Sequence, residues 1–212
     1  MKKVVLLGDS IRMGYEKYVK LAFEDRLQIY GPEDCCRFAA YLLRYVGTWK
    51  GEMGCGSDVD LVHWNCGLWD CLYLADGEKQ TDLDTYGKYL ARIHRTICKL
   101  YPQAKQSFAL STAVQEHLFT GVFKRFNADI EAYNAVAVEV LAPLGVDFDD
   151  LYAETRFLDP ACWSDSTHFN TAPGTQAVAG AVVEHLEKQL GVPSASLDYQ
   201  AAFVAQKKII GI

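Results

Sequence analysis

Apolar and polar positions follow two rhythms along this chain. Short, nearly unbroken apolar runs at residues 3–7, 26–30, 59–64, within 104–113 and at 145–148 read as five strands. Longer stretches between them carry apolar residues at helical spacing. Residues 37–46 place Phe38, Tyr41, Leu42 and Tyr45 at i, i+3, i+4 and i+7. Residues 86–100 repeat the pattern through Leu90, Ile93 and Ile97, and Pro102 stops it. Residues 126–141 do so through Ile130, Tyr133, Ala137 and Val140. A last helix follows Asn170, with Pro173 in its first turn and Gly191 just past its end, where each residue suits the backbone.

Strand alternating with helix implies a parallel sheet, because parallel neighbours need crossover connections, and these run right-handed. The expected fold is therefore α/β: a three-layer, flavodoxin-like five-stranded sheet with strand order 2-1-3-4-5. Such sheets bind ligands beyond the carboxyl ends of their strands, where the order reverses. That rule points to the loops after strands 1 and 3. Residues 1–191 form the expected domain. Residues 192–212 fall outside the alternation and end in an apolar Ile-Ile-Gly-Ile, so this tail is expected to pack on the domain or on a neighbouring subunit as a homo-oligomer contact.

Composition narrows the function classes. With 50% hydrophobic and 23% charged residues over 212 positions, the chain is globular rather than disordered. No apolar run approaches the roughly 18 residues that cross a bilayer, so no membrane span is expected. A net charge of -6 without a basic cluster disfavours nucleic acid as a partner. The opening Met1-Lys2-Lys3 is followed by only four apolar residues before Gly8-Asp9, too few for a signal peptide. Seven cysteines, none at C-x-x-C spacing, suggest reduced packing residues in a cytoplasmic protein and no metal site.

Two segments carry candidate chemistry. Gly8-Asp9-Ser10 lies at a strand-to-helix turn, which would bring the Ser10 hydroxyl to the mouth of the sheet; serine or aspartate there also reads as a helix cap. Arg12 stands where the G-x-S-x-G elbow needs its second glycine, and neither a P-loop nor a dinucleotide fingerprint is present. Of five histidines, His63, His94 and His185 read as structural or solvated, and His117 follows strand 4 near the binding edge. His168 stands three residues after Asp165 on the loop before the last helix. One short loop can thus carry an imidazole and the carboxylate that orients it.

Gly8-Asp9-Ser10 after the first strand, Asp165-x-x-His168 before the last helix and the strand order between them resemble the SGNH (GDSL) hydrolase superfamily. Weaker markers agree: Asp129 to Asn134, Asp150-Leu151-Tyr152, and His168-Phe169-Asn170 leading into Gly174. The resemblance implies Ser10 as nucleophile, His168 as general base and then acid, Asp165 as orienting acid, and no cofactor. It also implies an oxyanion hole built from the nucleophile's N–H, a glycine N–H after strand 2 and an asparagine after strand 3. This chain departs at both loops. After strand 2 it reads Gly31 to Arg37 with no glycine before the helix, so Cys35 or Cys36 is the expected backbone donor. After strand 3 the family's G-x-N-D is replaced by Asn65-Cys66-Gly67-Leu68-Trp69-Asp70, and Asn65 is the expected amide donor.

Asp9, Arg12, Gly67, Trp69 and Trp163 are expected around the substrate, with Arg12 placed to hold a carboxylate or, equally, to pair within its helix. Trp64, Tyr73, Phe119 and Phe123 add aromatic surface near the same loops, and residues 70–83 are placed to form a small flap. The expectation is a serine ester hydrolase acting on short-chain esters, such as acetyl groups on a carbohydrate or small alcohol. A lysophospholipase or thioesterase, and a catalytically silent binding module on the same fold, remain the alternatives.

Overall fold

The computed structural model describes residues 1–209; Ile210, Gly211 and Ile212, three of the four apolar tail residues, lie outside the described residues. The strands are β1 (Lys2–Leu7), β2 (Leu27–Tyr30), β3 (Leu61–Trp64), β4 (Lys105–Ala109) and β5 (Asp147–Asp149). All pair in parallel in the order β2-β1-β3-β4-β5, as the alternation requires. Helices α1 (Ser10–Phe23), α2 (Ala39–Met53), α3 (Leu83–Leu100), α4 (Asn127–Leu141), α5 (Leu151–Thr155), α6 (Ala172–Leu190) and α7 (Tyr199–Ile209) complete the chain. Contacts of α2 with α3 and α3 with α4 build one covering layer, and α1 against α6 builds the other.

The central strands are apolar because both faces are covered: Val4 to Leu7 and Leu61, Val62 and Trp64 are fully buried. In the register, Leu7, Trp64 and Phe108 stand side by side at the carboxyl edge. Trp64, one of the aromatics near the binding loops, is core: its ring meets Phe108 edge-on at 4.7 Å. The fifth strand begins later than its apolar run, because Gly145 takes φ 76° to close the turn at Ala142–Leu144. Helix α2 runs to Met53 and ends at Gly54 with φ 62°, past the point where its apolar face stops repeating.

Residues 192–209 are more ordered than their pattern suggests. The Ala195 N–H donates to the Ala22 carbonyl at 2.7 Å, the Ser194 N–H to Glu187, and α7 packs against α6 through residues including Tyr199 and Ala202. Among the described residues, no helix is long and apolar enough to cross a membrane.

Candidate active site

The sharp turn between β1 and α1 builds the first half of the site. Asp9 caps α1, its Oδ1 accepting the Ile11 N–H at 2.9 Å, and Ser10 opens the helix. Gly8 precedes them because no side chain fits: a Cβ there would overlap Asn65 Oδ1 and come within 2.7 Å of the Arg12 Cβ. Asp9 is fully buried, and burial pushes its carboxyl pKa up against the Ile11 N–H and the Asn65 amide. It is therefore a buried cap rather than the substrate contact expected of it.

The second half sits 158 residues away on the loop before α6. Asp165 Oδ1 accepts the backbone N–H groups of Thr167 (2.7 Å) and His168 (2.8 Å), folding the loop around the carboxylate. His168 Nδ1 stands 3.0 and 2.9 Å from the two Asp165 oxygens, and His168 Nε2 stands 2.8 Å from Ser10 Oγ. Partial burial pushes the Asp165 carboxyl up, but the two amides and the imidazole outweigh it and hold the pKa below the ordinary value. An ionised Asp165 draws the proton to Nδ1, which leaves Nε2 free to accept from the Ser10 hydroxyl. The loop is braced from behind. Ser164 N–H donates to the His168 carbonyl at 2.8 Å, Gln115 N–H to the Ser166 carbonyl at 2.8 Å, and Thr171 Oγ1 to the Cys162 carbonyl at 2.8 Å.

The expected oxyanion donors part company. Cys36 N–H donates to the Gly8 carbonyl at 2.9 Å, while Gly8 N–H donates to Cys36 Sγ at 3.2 Å. This two-point clamp ties the loop after β2 to the nucleophile turn and removes Cys36 as a donor, correcting that expectation. Cys35 is half-buried on the same loop. Asn65 is buried behind Gly8 and beside Asp9, and lines neither cavity that contains Ser10. Gly67 is needed for the backbone: its φ is 143°, and a Cβ would overlap the Ser111 hydroxyl. It too lines neither of those cavities.

Two further substrate contacts are corrected. Arg12 is 2% exposed, bonded through Nη1 to Glu16 and through Nη2 to the Asp34 carbonyl at 2.7 Å; it pairs within its helix and does not reach the cleft. Trp163 is buried with its ring 4.1 Å from that of Phe169, supporting the His168 loop from behind rather than walling the pocket. Among the other histidines, His63 is buried with Nε2 2.9 Å from Asp149, His185 packs against it, and His117 is exposed.

Ser10 and His168 open onto a cleft of about 540 Å³. Trp69 lines it, with Leu68, Leu72 and Leu74 from the segment after β3 and Phe119 and Phe123 from the loop before α4. Within the segment from 70 to 83, Tyr73 bridges antiparallel to Lys79 and to Lys124, which joins the two walls. Arg125, which no sequence motif marks, is the one arginine or lysine side chain lining the cleft among the described residues. Burial pulls its guanidinium pKa down from the ordinary value. Lys124-Arg125 between Phe123 and Phe126 gives no signal at sequence level, because only the fold brings Arg125 to the same cleft as Ser10.

No family model matches the sequence, and no curated protein does. Solved structures match well. The lipase/acylhydrolase from Enterococcus faecalis superposes with a TM-score of 0.70 at 19% identity, covering 93% of this chain and 100% of its own. A GDSL-like lipase from Bacteroides thetaiotaomicron gives 0.68 at 18% identity, covering 89% of each. An acetyl xylan esterase gives 0.68 at 18%, covering 87% of this chain and 99% of its own. The chain shares the fold of these lipase, acylhydrolase and esterase structures.

Proposed function

We propose that this chain, carrying the SGNH/GDSL fold, is a serine carboxylic ester hydrolase that works through an acyl-enzyme. The observation that carries the reading is the unbroken line Ser10 Oγ, His168 Nε2, His168 Nδ1, Asp165, with gaps of 2.8 and 2.9 Å, opening on a cleft. Ser10 Oγ attacks the ester carbonyl as its proton passes to His168 Nε2. The resulting imidazolium is stabilised by Asp165 and then protonates the departing alcohol. A water molecule, losing its proton to the same Nε2, hydrolyses the acyl-Ser10 ester and restores the enzyme.

The developing oxyanion is assigned first to the Ser10 N–H, which lies at the positive end of α1. Cys35 N–H and the Asn65 amide are the proposed further donors. Asn65→Ala lowers kcat by about 100- to 1,000-fold with KM little changed if Asn65 faces the oxyanion, and a loss under about fivefold removes it from the hole.

Among esters, short acyl groups on a carbohydrate or small alcohol suit the flat aromatic surface of Trp69, and an acetyl xylan esterase is among the structural neighbours. The leucine and phenylalanine lining favours a second reading, a longer acyl chain as in a lysophospholipase or thioesterase. Para-nitrophenyl acetate, butyrate and octanoate, tested beside acetylated sugars, separate the two. Hydrolysis by the native chain and its loss in Ser10→Ala supports the proposal; no cleavage of any ester by the native chain contradicts it.

A further inference from the structure

Arg125 is 9% exposed, and only one of its five N–H donors has an acceptor on the protein among the described residues: Nε donates to the Leu68 carbonyl. The guanidinium stands over the Trp69 ring, 6.0 Å from its centre. Its titratable neighbours are Cys71, whose thiol burial pushes up to about 12 and so keeps neutral, and Asp9 and Asp165, neither within the 4.0 Å of an ion pair. Both carboxylates are also engaged elsewhere, Asp9 as the α1 cap and Asp165 with His168. A buried cation without a counter-ion is costly, and structures normally pair or neutralise it. Here the rest of the cleft wall gives it nothing: apart from Ser10 and His168, the lining is Thr167, Gln80 and apolar side chains.

We infer that Arg125 is the specificity-determining residue of the cleft, where it binds an oxyanion carried by the substrate, a carboxylate or phosphate beside the ester. Nε, held by Leu68, fixes the plane of the fork. The terminal nitrogens then present two parallel N–H donors, which match a carboxylate or phosphate edge. With Nε tied to Leu68 and the guanidinium over the Trp69 ring, Arg125 is pre-organised before any ligand arrives. The substrate is thus amphiphilic: its apolar part lies along Leu72, Leu74, Phe119 and Phe123, and its anionic group meets Arg125. This deepens the ester-hydrolase reading and rests on it for the reaction, though not for the binding.

The test uses ester pairs that differ by one charge. Mono-para-nitrophenyl adipate against its methyl ester carries a carboxylate on the acyl side. Para-acetoxybenzoate against its methyl ester carries one on the alcohol side, and para-acetoxyphenyl phosphate against para-acetoxyanisole offers phosphate. The native chain should prefer the charged member of at least one pair by about tenfold or more in kcat/KM, chiefly through KM. Arg125→Gln should cut that charged-to-neutral ratio by about 10- to 100-fold, with Arg125→Lys between the two. Calorimetry of the charged esters on Ser10→Ala, with and without Arg125→Gln, reads the anion site without catalysis. Binding that disappears with Arg125 supports the site even if no ester is cleaved, an outcome that would reject the hydrolase reading alone. The inference is overturned if no charged ester is preferred or bound, or if Arg125→Gln lowers charged and neutral esters alike, which would make Arg125 only a brace for the Leu68 carbonyl.

Discussion

Asp70 holds the loop that carries Trp69 to the start of α2, and its titration should be visible in the stability of the whole chain. Phe38 offers α2 no side-chain cap, so the orphan N–H of Ala39 is met from across the fold by both Asp70 oxygens, each at 3.1 Å. Asp70 is fully buried, and burial raises its pKa to about 7 against the Thr81 side chain and the Ala39 N–H. Between pH 4 and 7 the folded chain therefore keeps a proton that the unfolded chain has released. The contribution of this group is complete below the unfolded pKa near 3.8 and is lost as pH rises through about 7. At about 1.4 kcal/mol per unit, the span from 3.8 to about 7 corresponds to roughly 4 kcal/mol. Asp70→Asn keeps an oxygen for Ala39 and cannot ionise. Urea unfolding of both proteins from pH 4 to 9 should show the variant gaining on the native chain by up to roughly 4 kcal/mol as pH rises, with most of the gain by pH 8. A difference that stays constant across that range would refute the reasoning, because it would mean Asp70 titrates alike in the folded and unfolded chain.

Three further substitutions test other parts of the structure. Arg12→Ala leaves the buried Glu16 carboxylate with Lys20 as its remaining partner and the Asp34 carbonyl without its donor, and should cost about 1–3 kcal/mol in denaturant unfolding, with no selective rise in KM for anionic esters. Asp165→Asn should lower kcat by about 100- to 10,000-fold in steady-state kinetics with the fold retained, because the amide no longer stabilises the imidazolium. Gly174→Ala drives a Cβ into the Cys162 carbonyl and within 2.9 Å of the Phe169 carbonyl, so thermal unfolding and ester turnover should both suffer.

The sheet was readable because each central strand is buried on both faces, which leaves continuous apolar runs such as residues 4–7. Ser10, Asp165 and His168 were readable because the turn and the short loop that hold them are local in sequence. What depended on tertiary contacts was not. Nothing in Gly31 to Arg37 shows that Cys36 clamps Gly8 from 28 residues away, which leaves its N–H unable to serve as a donor. The two arginines illustrate the same limit. Arg12 is two positions from Ser10 yet turned into the Glu16 and Asp34 contacts, whereas Arg125 is remote in sequence and lines the cleft. Helix α7 follows no strand and packs against α6, so the strand–helix alternation gives no sign of it.

The most direct test of the serine-hydrolase reading is covalent. A fluorophosphonate probe is incubated with the native chain, and the site of modification is read by intact mass and peptide mapping. Addition of one probe per chain at Ser10, abolished in Ser10→Ala and strongly slowed in His168→Ala, is the expected result. A native, folded chain that remains unmodified, or that is modified at another residue with Ser10 untouched, would contradict it.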